Sequence, residues 1–300
     1  MTVPQVTLAP GGPELSRIVA GAWRLADRDL GPAGRRRWVE TCLDLEITAF
    51  DHADIYGGYA VEGLFGEVLA AAPALRDRMQ VVGKCGIRLV DPARPAHRVK
   101  SYDTSRDHLV ASVDASLRAL RCGHLDLLLI HRPDALMDPD EVAGAFRELR
   151  DAGKVRHFGV SNHAPSQLAL LHRRFPLVTN QVELSPLCLD ALADGTLDQC
   201  LDLGIRPMAW SPLGGGRLFT PGDPRAARVR EVLDALGAER GVTAATMAHA
   251  WILRHPSGPL PVTGSLRAEG LAEAVRALEV TLEAEDWYRV WEASSGHEVP

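Results

Sequence analysis

No stretch of this 300-residue chain holds the roughly 18 apolar residues that a membrane-spanning helix needs. The longest candidate, Leu125–Ile130, is interrupted by Asp126, so no membrane partner is expected. Met1–Pro10 lacks a charged segment followed by an apolar one, which argues against a signal peptide. Basic runs are also missing, and the densest cluster is Arg35-Arg36-Arg37. With 33 Lys and Arg against 39 Asp and Glu, the net charge is −6. Affinity for phosphate backbones needs several aligned cations, so no nucleic-acid partner is expected. The three arginines are expected on a solvated helix face. The five cysteines, at 42, 85, 122, 188 and 200, are odd in number and show no CxxC spacing. That pattern fits free thiols in a reducing cytoplasm. No linker rich in Gly, Ser or Pro interrupts the chain, so one domain over residues 1–300 is expected.

What is present is alternation. Hydrophobic residues make up 46% and charged residues 24%, a balance that excludes disorder and supplies a sizeable core. Short apolar or β-branched runs are each followed by a longer segment of helical periodicity. Strands are expected at Arg17–Leu25, Thr48–Ile55, Gln80–Cys85, Leu125–His131, His157–Asn162, Thr179–Leu184, Arg206–Ser211 and Leu260–Thr263. Helices are expected at Pro32–Leu45, Tyr59–Ala71, Ser105–Arg121, Pro139–Ala152, Pro165–Phe175, Gly195–Leu203 and Arg225–Arg240. Others are expected at Ala244–Arg254, Ala268–Leu278 and Ala284–Ser294. Ser105 suits an N-cap, Pro139 and Pro165 suit first turns, and Gly153 and Gly204 suit helix stops. Eight such units predict an α/β fold: a parallel (β/α)8 TIM barrel with extra C-terminal helices. A short hairpin is expected before it, turning at Pro10-Gly11-Gly12-Pro13.

Such a barrel keeps its chemistry at the C-terminal ends of its strands. There the sequence offers Asp51 and Tyr56 after strand two, Lys84 at the end of strand three and His131 at the end of strand four. Period-two alternation turns Lys84 and His131 inward together. A tyrosine is a weak acid, with a pKa near ~10. A neighbouring ammonium favours the phenolate and is expected to lower that pKa. Asp51 would hold Lys84 charged. Tyr56 would then protonate a developing alkoxide while His131 orients the carbonyl. The set suits carbonyl reduction beside a hydride donor. By the same alternation His52 faces the helices and Cys85 packs away from Lys84. No second His/Asp cluster at ligand spacing accompanies Asp51-His52-Ala53-Asp54, so no metal is expected.

The run Asp51-His52-Ala53-Asp54-Ile55-Tyr56-Gly57 resembles the signature of the aldo-keto reductase family. The order Asp51, Tyr56, Lys84, His131 resembles that family's catalytic tetrad. Further resemblances run along the chain: Leu125–His131, Gly153–Arg156, Gly159–Asn162, Asn180–Glu183 and Trp210–Leu213. Within the family, His131–Asp134 and Lys154–Asn162 look most like the bacterial YdhF-like oxidoreductases. The resemblance implies transfer of the pro-R hydride of NADP(H) to an aldehyde or ketone. It implies that Ser161, Asn162 and Gln181 bind the nicotinamide carboxamide and that Trp210 stacks under the ring. It places Ser211, Pro212, Leu213 and Gly214 over the pyrophosphate, adds Trp23 to the cofactor contacts, and puts Gly264, Ser265 and Arg267 at the 2′-phosphate. Where many members carry Arg or Gln and then Asn, this chain has Gly270 and Ala274, so NAD(H) stays open beside NADP(H).

Two other readings stand beside the reductase. One is a cofactor-binding sensor or accessory subunit like the potassium-channel β-subunits; the other is a lyase forming a Schiff base through Lys84. The substrate is expected to depend on Arg88–Tyr102, on Pro186–Asp194 and on the C-terminal tail. Oligomeric state is left open.

Overall fold

The computed structural model describes residues 2–27 and 30–299. Eight parallel strands close into a barrel in simple chain order. They are β1 (Val19–Gly21), β2 (Ala49–Asp51), β3 (Gln80–Cys85), β4 (Leu125–Ile130), β5 (Val155–Ser161), β6 (Asn180–Glu183), β7 (Met208–Trp210) and β8 (Leu260–Thr263). Asp51 pairs in register with Val82, Lys84 with Leu129, and Ser161 with Gln181. The register therefore brings the ends of β2, β3, β4 and β6 to one rim.

Short helical turns at Tyr56–Tyr59 and Asp190–Ala193 were not expected, while the helices of eight or more residues follow as read. They are α1 (Gly31–Asp44), α2 (Val61–Ala71), α3 (Arg106–Leu120), α4 (Pro139–Asp151), α5 (Pro165–His172), α6 (Thr196–Leu203), α7 (Pro224–Arg240), α8 (Ala244–Leu253), α9 (Ala268–Arg276) and α10 (Ala284–Ser295). Ser105 caps α3 by accepting from the N–H of His108, and Asp138 caps α4. Gly204 ends α6 in the left-handed region, at φ +63°. Two short strands, Gln5–Thr7 and Glu14–Ser16, make the expected N-terminal hairpin. It covers the barrel's lower end: the Leu8 carbonyl accepts from Arg206 N–H, and Ser16 Oγ accepts from the N–H groups of Thr48 and Ala49. With that end closed, the rim of strand C-termini is the face left for ligands.

Several expectations need correction. The first two strands are shorter than read, ending at Gly21 and Asp51. Beyond Gly21 the chain enters a tight turn at Trp23–Ala26 that still buries Leu25, so apolar content imitates a strand. Beyond Asp51 the backbone keeps bonding to β3 without a regular ladder, from His52 N–H to the Val82 carbonyl and from Asp54 N–H to that of Lys84. Arg35 is not on a solvated face. It shares the stripe of Trp38, Val39 and Cys42 on α1 and is buried there against Glu67 of α2, at 2.5 Å. Tyr59 lies in the turn before α2 with φ +67°, rather than in the helix, and its hydroxyl accepts from Leu89 N–H. Arg88–Tyr102, read as irregular, has its ends paired, Ile87 with Tyr102 and Arg88 with Ser101.

Candidate active site

Lys84 organises the upper rim. Its ammonium is fully buried and donates to Asp51 Oδ2 at 2.6 Å, to the His52 carbonyl at 2.9 Å and to Tyr56 Oη at 3.0 Å. Those are all three hydrogens that an ammonium has. Burial works against the charge, but Asp51 and Tyr56 outweigh it and hold the Lys84 pKa above its ordinary value. The other oxygen of Asp51 accepts from Gln181 Nε2 at 2.8 Å. The carboxylate is therefore gripped from β3 on one side and β6 on the other.

Tyr56 differs from the expectation in one respect. Burial raises its pKa, the pull of Lys84 lowers it, and the net direction is upward. The phenol is thus protonated at neutral pH, with its oxygen already bound to a cation. His131 stands edge-on to Tyr56, with ring centroids 5.9 Å apart. Burial, then Lys84, Arg132 and Lys100, drive its pKa well below the usual imidazole range, so the ring is neutral. Its Nδ1 is buried without a partner among the described residues. A buried N–H with no acceptor is costly, so the proton belongs on Nε2, the nitrogen left to the cleft.

These groups open into a cleft of about 1190 Å³. That exceeds the ~300–1,000 Å³ typical of a small-ligand pocket. The cleft is lined by Asp51, Tyr56 and His131 at one end. It passes Trp23, Ser161, Gln181 and Trp210–Leu213, and ends at Gly264, Ser265, Arg267, Gly270 and Glu273. Two residues assigned to the cofactor from sequence lie a layer behind this wall. Asn162 accepts from the indole N–H of Trp210 at 3.0 Å and donates to Ser161 Oγ at 2.7 Å. Gly214 backs onto Leu187, where a Cβ would meet the leucine side chain at 2.9 Å. Asn162 and Ser211 both hold left-handed backbone, at φ +56° and +53°, which is strained for residues with a side chain.

Sequence reading missed Arg24, Lys100, Arg132 and Arg230, all of which line the cleft. Arg24 donates to the Gly215 carbonyl and ties the segment after β1 to the loop after β7. Arg132 was findable, since it directly follows His131 at a strand end. In two segments expected to shape the substrate pocket, residues 186–194 and the C-terminal tail, none of the described residues lines the cleft. Instead α10 packs on α7, where Arg225 donates to Ser294 Oγ at 2.8 Å. The absent side chain at position 270 also has a local reason. A Cβ there would run into Ser265 Oγ, which accepts from Arg267 N–H at 3.2 Å. Ala274 is fully buried in the core. His52 turns away from the site onto Phe65, with centroids 4.4 Å apart. Cys85 is buried, which raises its thiol pKa far above the usual range and leaves it a packing residue.

Family comparison agrees with this geometry. Residues 17–295 match the model of the aldo/keto reductase family, and the chain belongs to that family. It is an oxidoreductase by kinship. Oxidoreductase YdhF of Escherichia coli is 50% identical to it, over 99% of this chain and 100% of that one. A 6-dehydroglucose reductase of Agrobacterium fabrum is 45% identical, over 95% and 96%. A solved thermostable aldo-keto reductase, Tm1743, in complex with the inhibitor epalrestat, superposes with a TM-score of 0.81. That superposition covers 97% of this chain at 24% identity and speaks to the barrel alone. Among the described residues no helix is long and apolar enough to cross a membrane.

Proposed function

We propose that the protein is a cytoplasmic, single-domain, NADP(H)-dependent reductase of aldehydes or ketones, with Tyr56 as its general acid. The observation that carries this reading is Lys84, buried beneath the cleft wall and bonded at once to Asp51 and Tyr56, which line it. As an alkoxide forms, Tyr56 gives up its proton, and the phenolate left behind is stabilised by the ammonium 3.0 Å away. Asp51 and Gln181 keep that ammonium in place. His131, neutral with Nε2–H toward the cleft, donates to the carbonyl oxygen and fixes its orientation. The nicotinamide, when bound, supplies the hydride.

The cleft suits that dinucleotide. Trp210 offers an indole face, with its N–H already engaged by Asn162. At the far end α9 starts beside Ser265 and Arg267, so its unpaired N–H groups and positive end favour phosphate. The Arg267 side chain has no acceptor among the described residues, which leaves it free for a 2′-phosphate. The Schiff-base reading has little support, because a charged Lys84 with every hydrogen engaged has no lone pair for attack. The name of the Agrobacterium relative speaks for an aldehyde as substrate.

The decisive test is Tyr56→Phe. Quenching of tryptophan fluorescence by NADPH should be unchanged, while kcat for aldehyde reduction falls by roughly 10²–10⁴-fold. Undiminished turnover would reject Tyr56 as the acid. Tighter quenching by NADPH than by NADH, lost in Arg267→Ala, would support the NADP preference. Equal quenching would withdraw it.

A further inference from the structure

On the substrate side of the site one strong cation has no counter-ion among the described residues. Arg132 follows His131 off the end of β4 and lines the cleft, half-buried. Its guanidinium lies 5.4 Å from the centre of the Trp210 ring, which steadies its plane. Among the described residues it makes no ion pair and no side-chain hydrogen bond. Other buried and half-buried guanidinium groups meet a carboxylate or donate to another oxygen: Arg35 meets Glu67, Arg76 meets Asp126 and Arg240 meets Asp286, while Arg17 donates to the Gly258 carbonyl and Arg225 to Ser294 Oγ.

The nearby acids are accounted for. Asp51 is held by Lys84 and Gln181. Glu183, at the end of β6, feels Arg132, but the cation within ion-pair range of it is Arg217, at 3.9 Å. Besides Glu183, the groups that act on Arg132 are the phenols Tyr56 and Tyr102, neither of which is a carboxylate. A second cation without an ion pair among the described residues, Lys100, lines the same end of the cleft from the segment after β3. Ile55, Ile87 and Leu89 also line the cleft and add an apolar surface to it. A planar fork of donors beside the carbonyl site, left without a carboxylate of its own, is the arrangement that receives an anionic oxygen group bidentately.

We propose that the physiological substrate is a carbonyl compound carrying a carboxylate or phosphate ester a few bonds from the carbonyl, received by Arg132 with Lys100 beside it. This rests on the reductase reading above and makes Arg132 a specificity residue for it. A neutral polyol of the same size leaves the guanidinium charge unmatched and gains only ordinary hydrogen bonds.

The test uses the NADPH-loaded enzyme and two matched aldehyde pairs. One is succinic semialdehyde and its methyl ester; the other is glyceraldehyde 3-phosphate and glyceraldehyde. For at least one pair kcat/KM should favour the charged member by on the order of 10- to 100-fold, carried mainly by KM. The pair that shows it distinguishes carboxylate from phosphate. In Arg132→Gln that ratio should collapse to within about threefold of unity, and in the surface variant Lys100→Gln it should fall part of the way. Equal or better use of the neutral members by the wild type overturns the proposal. So does an Arg132→Gln variant, folded by circular dichroism, that loses both members alike or binds NADPH more weakly, since Arg132 then serves the cofactor. If none of the four aldehydes is reduced, the reductase reading itself fails and the proposal falls with it.

Discussion

At the scale of the residue, Asp51 sits at a junction. One of its oxygens meets Lys84 and the other Gln181, 130 positions away in sequence. A buried ion pair loses most when a single partner is removed, because the other charge is then stranded. Asp51→Asn should therefore cost about 3–5 kcal/mol in urea unfolding. Adding Lys84→Met to it should recover part of that loss, giving a double variant less damaged than the two single costs added together. Additive costs would show that the pair is not coupled. The identities of Asp51, Tyr56, Lys84 and His131 were legible because strand ends and alternation are local patterns. The grip of Gln181 was not, since it depends on how closure of the barrel brings the end of β6 to face that of β2. The net upward pKa of Tyr56 was hidden for a similar reason: proximity to Lys84 can be read from spacing, but the degree of burial cannot.

At the scale of the element, helices were easier to place than strands. Caps such as Ser105 and Asp138 and stops such as Gly204 mark helix ends chemically. Strands β1 and β2 end where hydrogen bonding loosens while burial continues, so apolar content overran them. Arg35 shows the converse, for its place on the α1 stripe was readable and the charge obscured it. Glycines offer a test of how tightly elements meet. Gly66 on α2 faces α3 so closely that a Cβ would strike the Ala119 carbonyl. Gly144 on α4 has nothing within 4 Å of the same position. Gly66→Ala should thus destabilise by about 1–3 kcal/mol or more through overpacking. Gly144→Ala should stabilise by up to about 1 kcal/mol through helix propensity. Thermal melts of the two variants should move in opposite directions, and shifts of the same sign would contradict this packing of α2 on α3.

At the scale of the whole molecule, stability should depend steeply on pH. Of the histidines that burial lowers, four are shifted furthest: His52 to about 3, with Lys84 adding to burial, His163 and His249 to about 4, and His131 well below its usual value. Of the carboxyl groups that burial raises, two are shifted furthest: Glu62 to about 7, and Asp54, with Glu62 beside it, well above its usual value. At about pH 5–6 the unfolded chain binds four histidine protons that the folded one refuses. The folded chain keeps two carboxyl protons that the unfolded one releases. Over these six groups the difference is about two protons bound by the unfolded state, and the smaller shifts of His108, His124, His157, His172 and His255 act in the same direction, so stability should fall by about 2–3 kcal/mol per pH unit or more on acidification from about 6 to 5. Above about pH 7 the unfolded histidines are neutral and Glu62 is ionised in both states, so the slope should level off. Urea midpoints across pH 5–8 should rise steeply at first and flatten near neutrality. A flat profile would mean that these groups gain partners on folding beyond those described.

The reciprocal pairing of two tryptophans has an optical consequence. Trp251 on α8 and Trp287 on α10 lie stacked, 4.9 Å apart and 5° from parallel, and each indole N–H donates to the other's carbonyl at 3.0 Å. Stacked chromophores share their excited states, so this pair should give the near-ultraviolet circular dichroism a strong signature of its own. Trp23 and Trp210 are set apart from it, on the cleft wall. Four of the six tryptophans thus form two reporters: emission from the cleft follows ligand occupancy, and dichroism from the pair follows attachment of the last helix. One sample in one cuvette could then show whether a ligand that fills the cleft also tightens the far end of the chain.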